Sequence, residues 1–325
     1  MNTSASVSVI ITARDAVATI ADAVSTALFD AETAEVIVID DASNDNTAAA
    51  AEAAGRGDDR LAISRCAVNI GPAAARNRAV EMATGDFVAV LDADDFILPG
   101  RFTRLLAVPN ADMMADNILF VAENASPGNL PSVPPVNPQV IDIDLAAFVR
   151  ANHSQRGTSR RELGFLKPIM RRTFLRDQGL RYDKTMRLGE DYDLYVRMLQ
   201  QGARFRVSTE VGYAARWRED SLSSRHQTAD LQALYTAALA HLTVDGMDAT
   251  AHAALTAIAG ELRQRFLLRD FLDQRAQVGR ARAILSVCHD PKTFAPVVRG
   301  ILADKFSARR PNAASRIGRL LIELG

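Results

Sequence analysis

Phe87-Val88-Ala89-Val90-Leu91-Asp92-Ala93-Asp94-Asp95 is an apolar run that ends abruptly in three carboxylates within four residues. The apolar part reads as a buried strand. Such a strand places Asp92, Asp94 and Asp95 at its C-terminal end, the edge at which open α/β sheets bind ligands. Carboxylates this close repel one another unless something positive sits among them. A hard divalent cation does this well, because Mg²⁺ and Mn²⁺ accept one or two carboxylate oxygens together with phosphate oxygens and waters. The plain alternative is a solvated acidic turn before Pro99-Gly100. The stretch alone does not decide between them.

On its N-terminal side the chain alternates strand and helix. Residues 6–12 (Ser-Val-Ser-Val-Ile-Ile-Thr) are short and β-branched, a first buried strand. Residues 16–29 carry Ile20, Val24, Ala27 and Leu28 at helical spacing. A second apolar strand, 34–39, runs into Asp40-Asp41 and then the turn residues Ser43, Asn44 and Asp45. A helix over 47–54, a short strand over 61–64, a turn at Asn69-Ile70-Gly71-Pro72 and a helix over 73–84 follow, with Pro72 suited to the first helical turn. This pattern predicts an α/β fold with a doubly wound, mostly parallel sheet. Two strands then end in aspartates on one edge, Asp40/Asp41 and Asp92/Asp94/Asp95. Aspartates also cap helices, but two acidic strand ends together are far more specific than either alone. Neither Gly-x-Gly-x-x-Gly nor Gly-x-x-x-x-Gly-Lys-Ser/Thr occurs, which argues against dinucleotide and P-loop sites. Phosphates here are expected on metal and arginine.

On its C-terminal side the pattern changes. A short helix over 101–107, a strand within 111–121, an irregular loop over 126–138 and a helix over 141–150 are expected; the loop has five prolines and one glycine. Arg156, Arg160 and Arg161 cluster in a basic loop before an extended stretch at 165–170 and a short helix at 171–179. Gly189-Glu190-Asp191-Tyr192-Asp193 opens a helix that runs to Gln201, with Gly202 just past its end. The helix dipole favours acids in that first turn. Capping accounts for one of the three, and a general base is the functional reading of another, since a carboxylate there stays ionised at pH 7. Residues 203–207 read as an edge strand. Residues 212–226 are basic, aromatic and serine-rich, and Arg225 and His226 are candidates to reach a diphosphate or a metal, although a lone His is more often a surface or capping residue.

From residue 229 the chain is Ala- and Leu-rich, with helices expected over 229–242, 249–276 and 279–288. Residues 294–305 and 315–324 are short amphipathic candidates. The chain therefore divides into 1–228 and a helical extension, 229–325. Residues 261–325 hold 13 Lys and Arg against 6 Asp and Glu. Basic amphipathic helices lie on anionic membrane surfaces; a solvated helical cap is the alternative. Over all 325 residues, 48% are hydrophobic, 24% are charged and the net charge is −1, a soluble globular composition with no charge argument for nucleic acid. Cys66 and Cys288 form neither a disulfide framework nor a zinc spacing, and the first residues lack a signal-peptide pattern. No run reaches the roughly 18 apolar residues of a membrane span. A reducing cytoplasm is the expected location, with peripheral contact at the inner membrane face.

The order and spacing of these motifs over about residues 6–226 resemble family 2 glycosyltransferases, inverting nucleotide-sugar enzymes of the GT-A fold. The segments 69–77, Ala115-Asp116-Asn117, Gly164-Phe165-Leu166-Lys167-Pro168-Ile169 and 188–195 are similar to bacterial exopolysaccharide glucosyltransferases of the succinoglycan type. The resemblance implies a Rossmann-like GT-A domain and transfer of a hexose, glucose by the subfamily, from a UDP-sugar. The implied acceptor is a saccharide carried on a polyprenyl diphosphate, and the implied cofactor is Mn²⁺ or Mg²⁺. By residue, Thr12 and Ala13 would line the nucleobase end, and Asp41 with Asp40 would bond uracil or ribose. Arg76 would lie near the donor. Asp92 would serve the ribose, the sugar or the metal, Asp94 the metal, and Asp95 the donor sugar or the metal's support. Asp191 would be the base, Glu190 would join the donor residues, and His226 is a further metal candidate. One departure stands out. The family's first strand usually ends in Pro-Ala-Tyr-Asn; here it is Thr12-Ala13-Arg14-Asp15. Arg14 is then the candidate to stack on the base. Two rivals remain. A nucleotidyltransferase of the same fold would carry a glycine-rich stretch after the first strand. A non-catalytic GT-A-like subunit of a polysaccharide assembly complex is disfavoured by the filled acidic positions.

Overall fold

The β-branched run becomes β1 (Val7–Ala13), with Val7, Val9, Ile10 and Ile11 fully buried. In the computed structural model, residues 5–131, 137–153, 162–217, 227–288, 294–298, 300 and 317–322 are described. Arg156, Arg160, Arg161, Arg225 and His226 lie outside them. β2 (Thr33–Asp40) and β4 (Phe87–Asp92) flank β1, both parallel to it, and β3 (Leu61–Arg65) lies beyond β2. Both faces of the central strands are buried, so they read as continuous apolar runs. The crossovers contain α1 (Ile20–Phe29), α2 (Thr47–Gly55) and α3 (Pro72–Met82). Register decides what this edge presents. Thr12 pairs with Asp92 on one side and Ile39 on the other, and Ala13 pairs with Asp40. The acidic ends of β2 and β4 therefore flank the end of β1, as expected.

Past β4 the sheet becomes mixed. The chain turns tightly, Asp95 N–H donating to Asp92 O at 3.0 Å, into the two-residue β5 (Phe96–Ile97). Helix α4 (Arg101–Leu106) leads to β6 (Met113–Val121), whose nine residues are all buried. β8 (Ile169–Arg171) fits between β4 and β6, antiparallel to both, and β9 (Phe205–Arg216) runs parallel to β6. The order is β3-β2-β1-β4-β8-β6-β9-β5, with β7 (Val140–Ile143) also on β9.

Three expectations need correction. Residues 141–150 are not one helix. Val140-Ile141-Asp142-Ile143 alternates and pairs antiparallel with the first half of β9, and Asp144 then caps α5 (Leu145–Asn152), accepting from Ala147 N at 2.6 Å. The strand expected at 203–207 is twelve residues long and lies inside the sheet. β6 covers one side of it, while β7 and β5 share the other. Strand pairing also recurs at the end of the chain. Leu320 bridges Leu119 antiparallel, and the Asn117 side chain grips the Ile322 backbone twice, donating to its O and accepting from its N, each at 2.9 Å.

Helices α6 (Arg172–Asp177) and α7 (Glu190–Gln200) complete the first part; α8 (Thr228–His241), α9 (Ala249–Val278) and α10 (Arg280–Cys288) form the helical extension. α9 packs on α8, α5 and α10, and its Leu255, Ile258 and Leu262 join the main core. α10 is held more thinly. Ala283 packs with Phe271 and Val297, while Ile284 and Leu285 face outward. Among the described residues no helix is long and apolar enough to cross a membrane.

Candidate functional site

Four elements converge at the end of β4. α3 presents a buried face of small residues, Ala73, Ala75 and Ala79, alongside Arg76 and Asn77. Asn77 clamps the Tyr182 backbone, donating to its O and accepting from its N, both at 2.8 Å. That clamp orders the segment leading into α7. Gly189 precedes α7 with φ 78°, a backbone conformation that favours glycine, and a Cβ there would make the Leu234 side chain of α8 move aside. Glu190 and Asp191 follow in the first turn, both buried.

Arg76 and Lys167 tie these acids to β4. Arg76 Nη2 lies 3.0 Å from Asp92 Oδ1, and its Nη1 lies 3.1 Å from Asp191 Oδ1 and 2.5 Å from Glu190 Oε1. Lys167 Nζ lies 2.8 Å from Asp92 Oδ2 and 2.9 Å from Asp191 Oδ2. Lys167 is itself braced. Arg101 donates to its carbonyl at 2.5 Å and pairs at 3.0 Å with Asp116, which is buried as Arg101 is. Asp116, noticed in sequence only as part of a resemblance, thus holds the arginine that holds the lysine.

The charges are those of a shielded cluster. Burial alone would raise Asp92, but Lys167 and Arg76 outweigh it and hold its carboxyl down at about 2. Burial lowers Lys167 less than Asp191 and Asp92 raise it, so it stays protonated. Glu190 is pushed up, first by burial and also by Asp191, although Arg76 opposes the shift. Tyr182 and Tyr195 are pushed well above 10 by burial and then by the Asp191 charge, so they remain neutral.

The three aspartates after β4 separate by environment. Asp92 joins the cluster. Asp95 turns inward and is buried, accepting from Tyr213 OH at 2.8 Å and from Arg216 N at 2.9 Å. Burial raises its carboxyl well above the usual range, and Asp94 and Asp92 add to the rise. Arg216 lies beneath the turn, donating to Asp94 O at 2.7 Å and pairing with Asp22. Sequence reasoning met Tyr213 and Arg216 only within a basic, aromatic stretch and Lys167 only within a resemblance segment, and gave none of them a role. Nothing local marks them, because their partners lie on elements distant in sequence.

The residues expected to line a nucleobase have partners within the chain. Asp41 uses both oxygens on the loop before α3, accepting from Ile70 N at 2.7 Å and Gly71 N at 2.9 Å. Asp40 is fully buried, accepts from Ser43 N at 2.9 Å and lies 3.3 Å from Arg65 Nε. Beside them an open cavity of about 450 Å³ is lined by Ala42, Ser43, Asn44, Arg65, Cys66 and Ala67. Thr12 is half-buried and Ala13 buried at the end of β1, and Arg14 is half-exposed beside Asp15. Asp193, the third acid of α7, points elsewhere. It pairs with Arg197 at 2.6 Å and lies 3.1 Å from His241 Nε2, linking α7 to α8.

The description "Glycosyl transferase family 2" matches residues 8–128. Over 311 residues the chain is 46% identical to the succinoglycan biosynthesis protein ExoU of Rhizobium meliloti (strain 1021), spanning 95% of this chain and 90% of that one. The chain belongs to glycosyl transferase family 2. The succinoglycan biosynthesis protein ExoO of the same strain is 30% identical over 326 residues, spanning 97% of this chain and 86% of that one. Among solved structures, S. aureus TarS 1-349 in complex with UDP-GlcNAc aligns with a TM-score of 0.59 at 19% identity, over 96% of this chain and 84% of that one. The mannosyltransferase PcManGT of Pyrobaculum calidifontis, in complex with GDP-Man and Mn²⁺, aligns with a TM-score of 0.56 at 16% identity, over 94% and 88%. At such identities the likeness speaks to the fold, which is GT-A.

For this family 2 glycosyltransferase the donor set for a divalent ion can be tested on its own side chains. Among the described residues no three His, Cys, Asp or Glu converge on one point. Both Asp92 oxygens are engaged by Arg76 and Lys167, and Asp95 is engaged below the sheet edge. Asp94 is half-buried at the edge, with its backbone pinned by Arg216. One carboxylate completed by phosphate oxygens and waters is a set that Mg²⁺ and Mn²⁺ accept. The residues therefore fit an ion that is shared with a diphosphate.

Proposed function

We propose that this family 2 glycosyltransferase moves a hexose, glucose by its subfamily resemblance, from a UDP-sugar to a saccharide acceptor with inversion. The observation that carries this reading is the charged cluster that brings Asp191, at the start of α7, to Asp92, at the end of β4. The residues read as donor-side carboxylate and base are thereby held on the same two cations. The cavity at Ser43, Arg65 and Cys66 takes the nucleoside, beside Thr12, Ala13, Arg14, Asp40 and Asp41. Asp92 bonds the ribose or sugar hydroxyls. Asp94 is the residue that would hold Mn²⁺ or Mg²⁺, which supplies Lewis-acid stabilisation of the leaving diphosphate. Asp191 accepts the proton of the acceptor hydroxyl as that oxygen bonds to the anomeric carbon and the bond to the diphosphate breaks. Glu190, raised towards its neutral form, holds Arg76 in place between the two aspartates.

The names of ExoU and ExoO support a role in exopolysaccharide biosynthesis, and the UDP-GlcNAc complex of TarS supports a UDP-linked donor. The acceptor in this reading is carried on a polyprenyl diphosphate. Exposed Ile284, Leu285 and Phe294, with Arg280 and Arg282 exposed beside them, support peripheral contact with the cytoplasmic face of the inner membrane. The test is UDP release from UDP-glucose with Mn²⁺, with and without a polyprenyl-diphosphate-linked saccharide. Release that depends on the acceptor is expected. No transfer from UDP-glucose or from any other nucleotide sugar in a panel would contradict the reading.

A further inference from the structure

Asp92 and Asp191 are bound in the same way. In each, Oδ1 goes to Arg76 and Oδ2 goes to Lys167, at 3.0 and 2.8 Å for Asp92 and at 3.1 and 2.9 Å for Asp191. Two cations alternate with two carboxylates around a closed ring. The members come from β4, α3, α7 and the segment before β8, so no local geometry obliges them to meet. The two cations are not equivalent. Arg76 presents two nitrogens in a planar fork and also holds Glu190. Lys167 bridges both carboxylates from one nitrogen, which suits a compact ammonium with three donors. Its side chain is 9% exposed, so the charge is not there for solubility. A neutral side chain of similar size would leave one oxygen of half-buried Asp92 and one of buried Asp191 without its cation, and breaking a buried pair on one side only is costly.

The ring makes the donor-side carboxylate and the base mechanically dependent. Asp191 sits on a helix start and Asp92 on a strand end; without Lys167, Asp191 keeps a single cation, Arg76, about which its carboxylate is free to turn. We propose that Lys167 is a positioning residue for sugar transfer, fixing the Asp191 carboxylate relative to Asp92 and hence to the bound donor. This rests on the reading of Asp191 as base. Lys167 acts through Asp191, and its backbone is braced by Arg101 and Asp116 so that the ammonium is delivered to one place. Misplacing a reacting group by about 1 Å costs on the order of 100-fold in rate.

The test compares wild type, K167M, K167R, D191N and K167M/D191N for transfer, with Mn²⁺–UDP binding followed by calorimetry. K167M is expected to lower kcat by about 100-fold while changing the UDP Kd by less than about threefold. K167R keeps the charge and offers a guanidinium nitrogen to each carboxylate, and is expected to recover at least about tenfold of that loss. In the D191N background, K167M is expected to cost nothing further, because the lysine works through the aspartate. Wild-type kcat in K167M, or a loss as large in D191N as in wild type, overturns the proposal. If K167M does not fold, K167R decides. Transfer within about tenfold of wild type, or a larger loss that disappears in the D191N background, supports the positioning role, and a loss as large in D191N as in wild type overturns it. A wild-type protein that transfers no sugar fails the underlying reading; a wild-type protein that transfers beside an unimpaired K167M fails this proposal alone.

Discussion

Asp92, Asp94 and Asp95 have the same side chain and sit within four residues, yet each meets a different environment. Asp92 titrates in a way that can be followed. Its carboxyl is held at about 2 against an ordinary 3.8, so the folded state binds its proton less readily than the unfolded chain. The stability it contributes is fully present above pH 4 and is lost as pH falls towards 2. With its side chain 30% exposed, about 1–2 kcal/mol is expected after allowing for solvent screening. Urea unfolding of wild type and D92N between pH 5 and 2.5 should show the difference between them shrinking by about two-thirds of that amount. At Asp94 the effect should be on ligand rather than stability. D94N should weaken Mn²⁺-dependent UDP binding at least about tenfold, and calorimetry with and without Mn²⁺ checks this. An unchanged metal dependence would remove Asp94 from that role. The acidity of this edge was legible in sequence; its division of labour was not. Asp95 turns inward because Tyr213 and Arg216 of β9 wait there, and a strand about 120 residues away leaves no trace beside Asp95. Lys167 was equally hidden, a lone lysine in an apolar stretch whose partners lie on β4 and α7.

Elements formed where the pattern of one segment sufficed. β1, β2 and β4 are buried on both faces and could be read from apolar runs alone; α7 could be read from its glycine boundaries and acidic first turn. Errors arose where pairing decided. Val140–Ile143 is too short to announce itself beside a helix, and it exists because β9 leaves a flank open. The close of the chain is a similar case. Residues 317–322 lie along β6 and are gripped by Asn117, a fully buried amide that meets both backbone groups of Ile322. N117A removes the two hydrogen bonds to Ile322, together with those the side chain makes to Ile118 N and Thr209 O, and should cost about 2 kcal/mol or more. Equilibrium urea unfolding measures this, and a change below about 0.5 kcal/mol would mean that the contact contributes little.

Across the whole molecule the GT-A sheet and the helical extension share a core through α9, while α10 shows apolar side chains outward. If these serve an anionic membrane, I284D/L285D should reduce flotation with vesicles containing phosphatidylglycerol several-fold and leave transfer to a soluble acceptor unchanged. Flotation equal to wild type would remove α10 from membrane contact. The catalytic claim concerns the place where the first turn of α7 meets the end of β4. Its most direct test is single-turnover transfer by D191N with Mn²⁺–UDP binding measured in parallel. The substitution keeps the shape and removes the base, so transfer should fall by about 100-fold or more while UDP affinity stays near that of wild type. D191N turning over at close to the wild-type rate would contradict the assignment of Asp191 as the base.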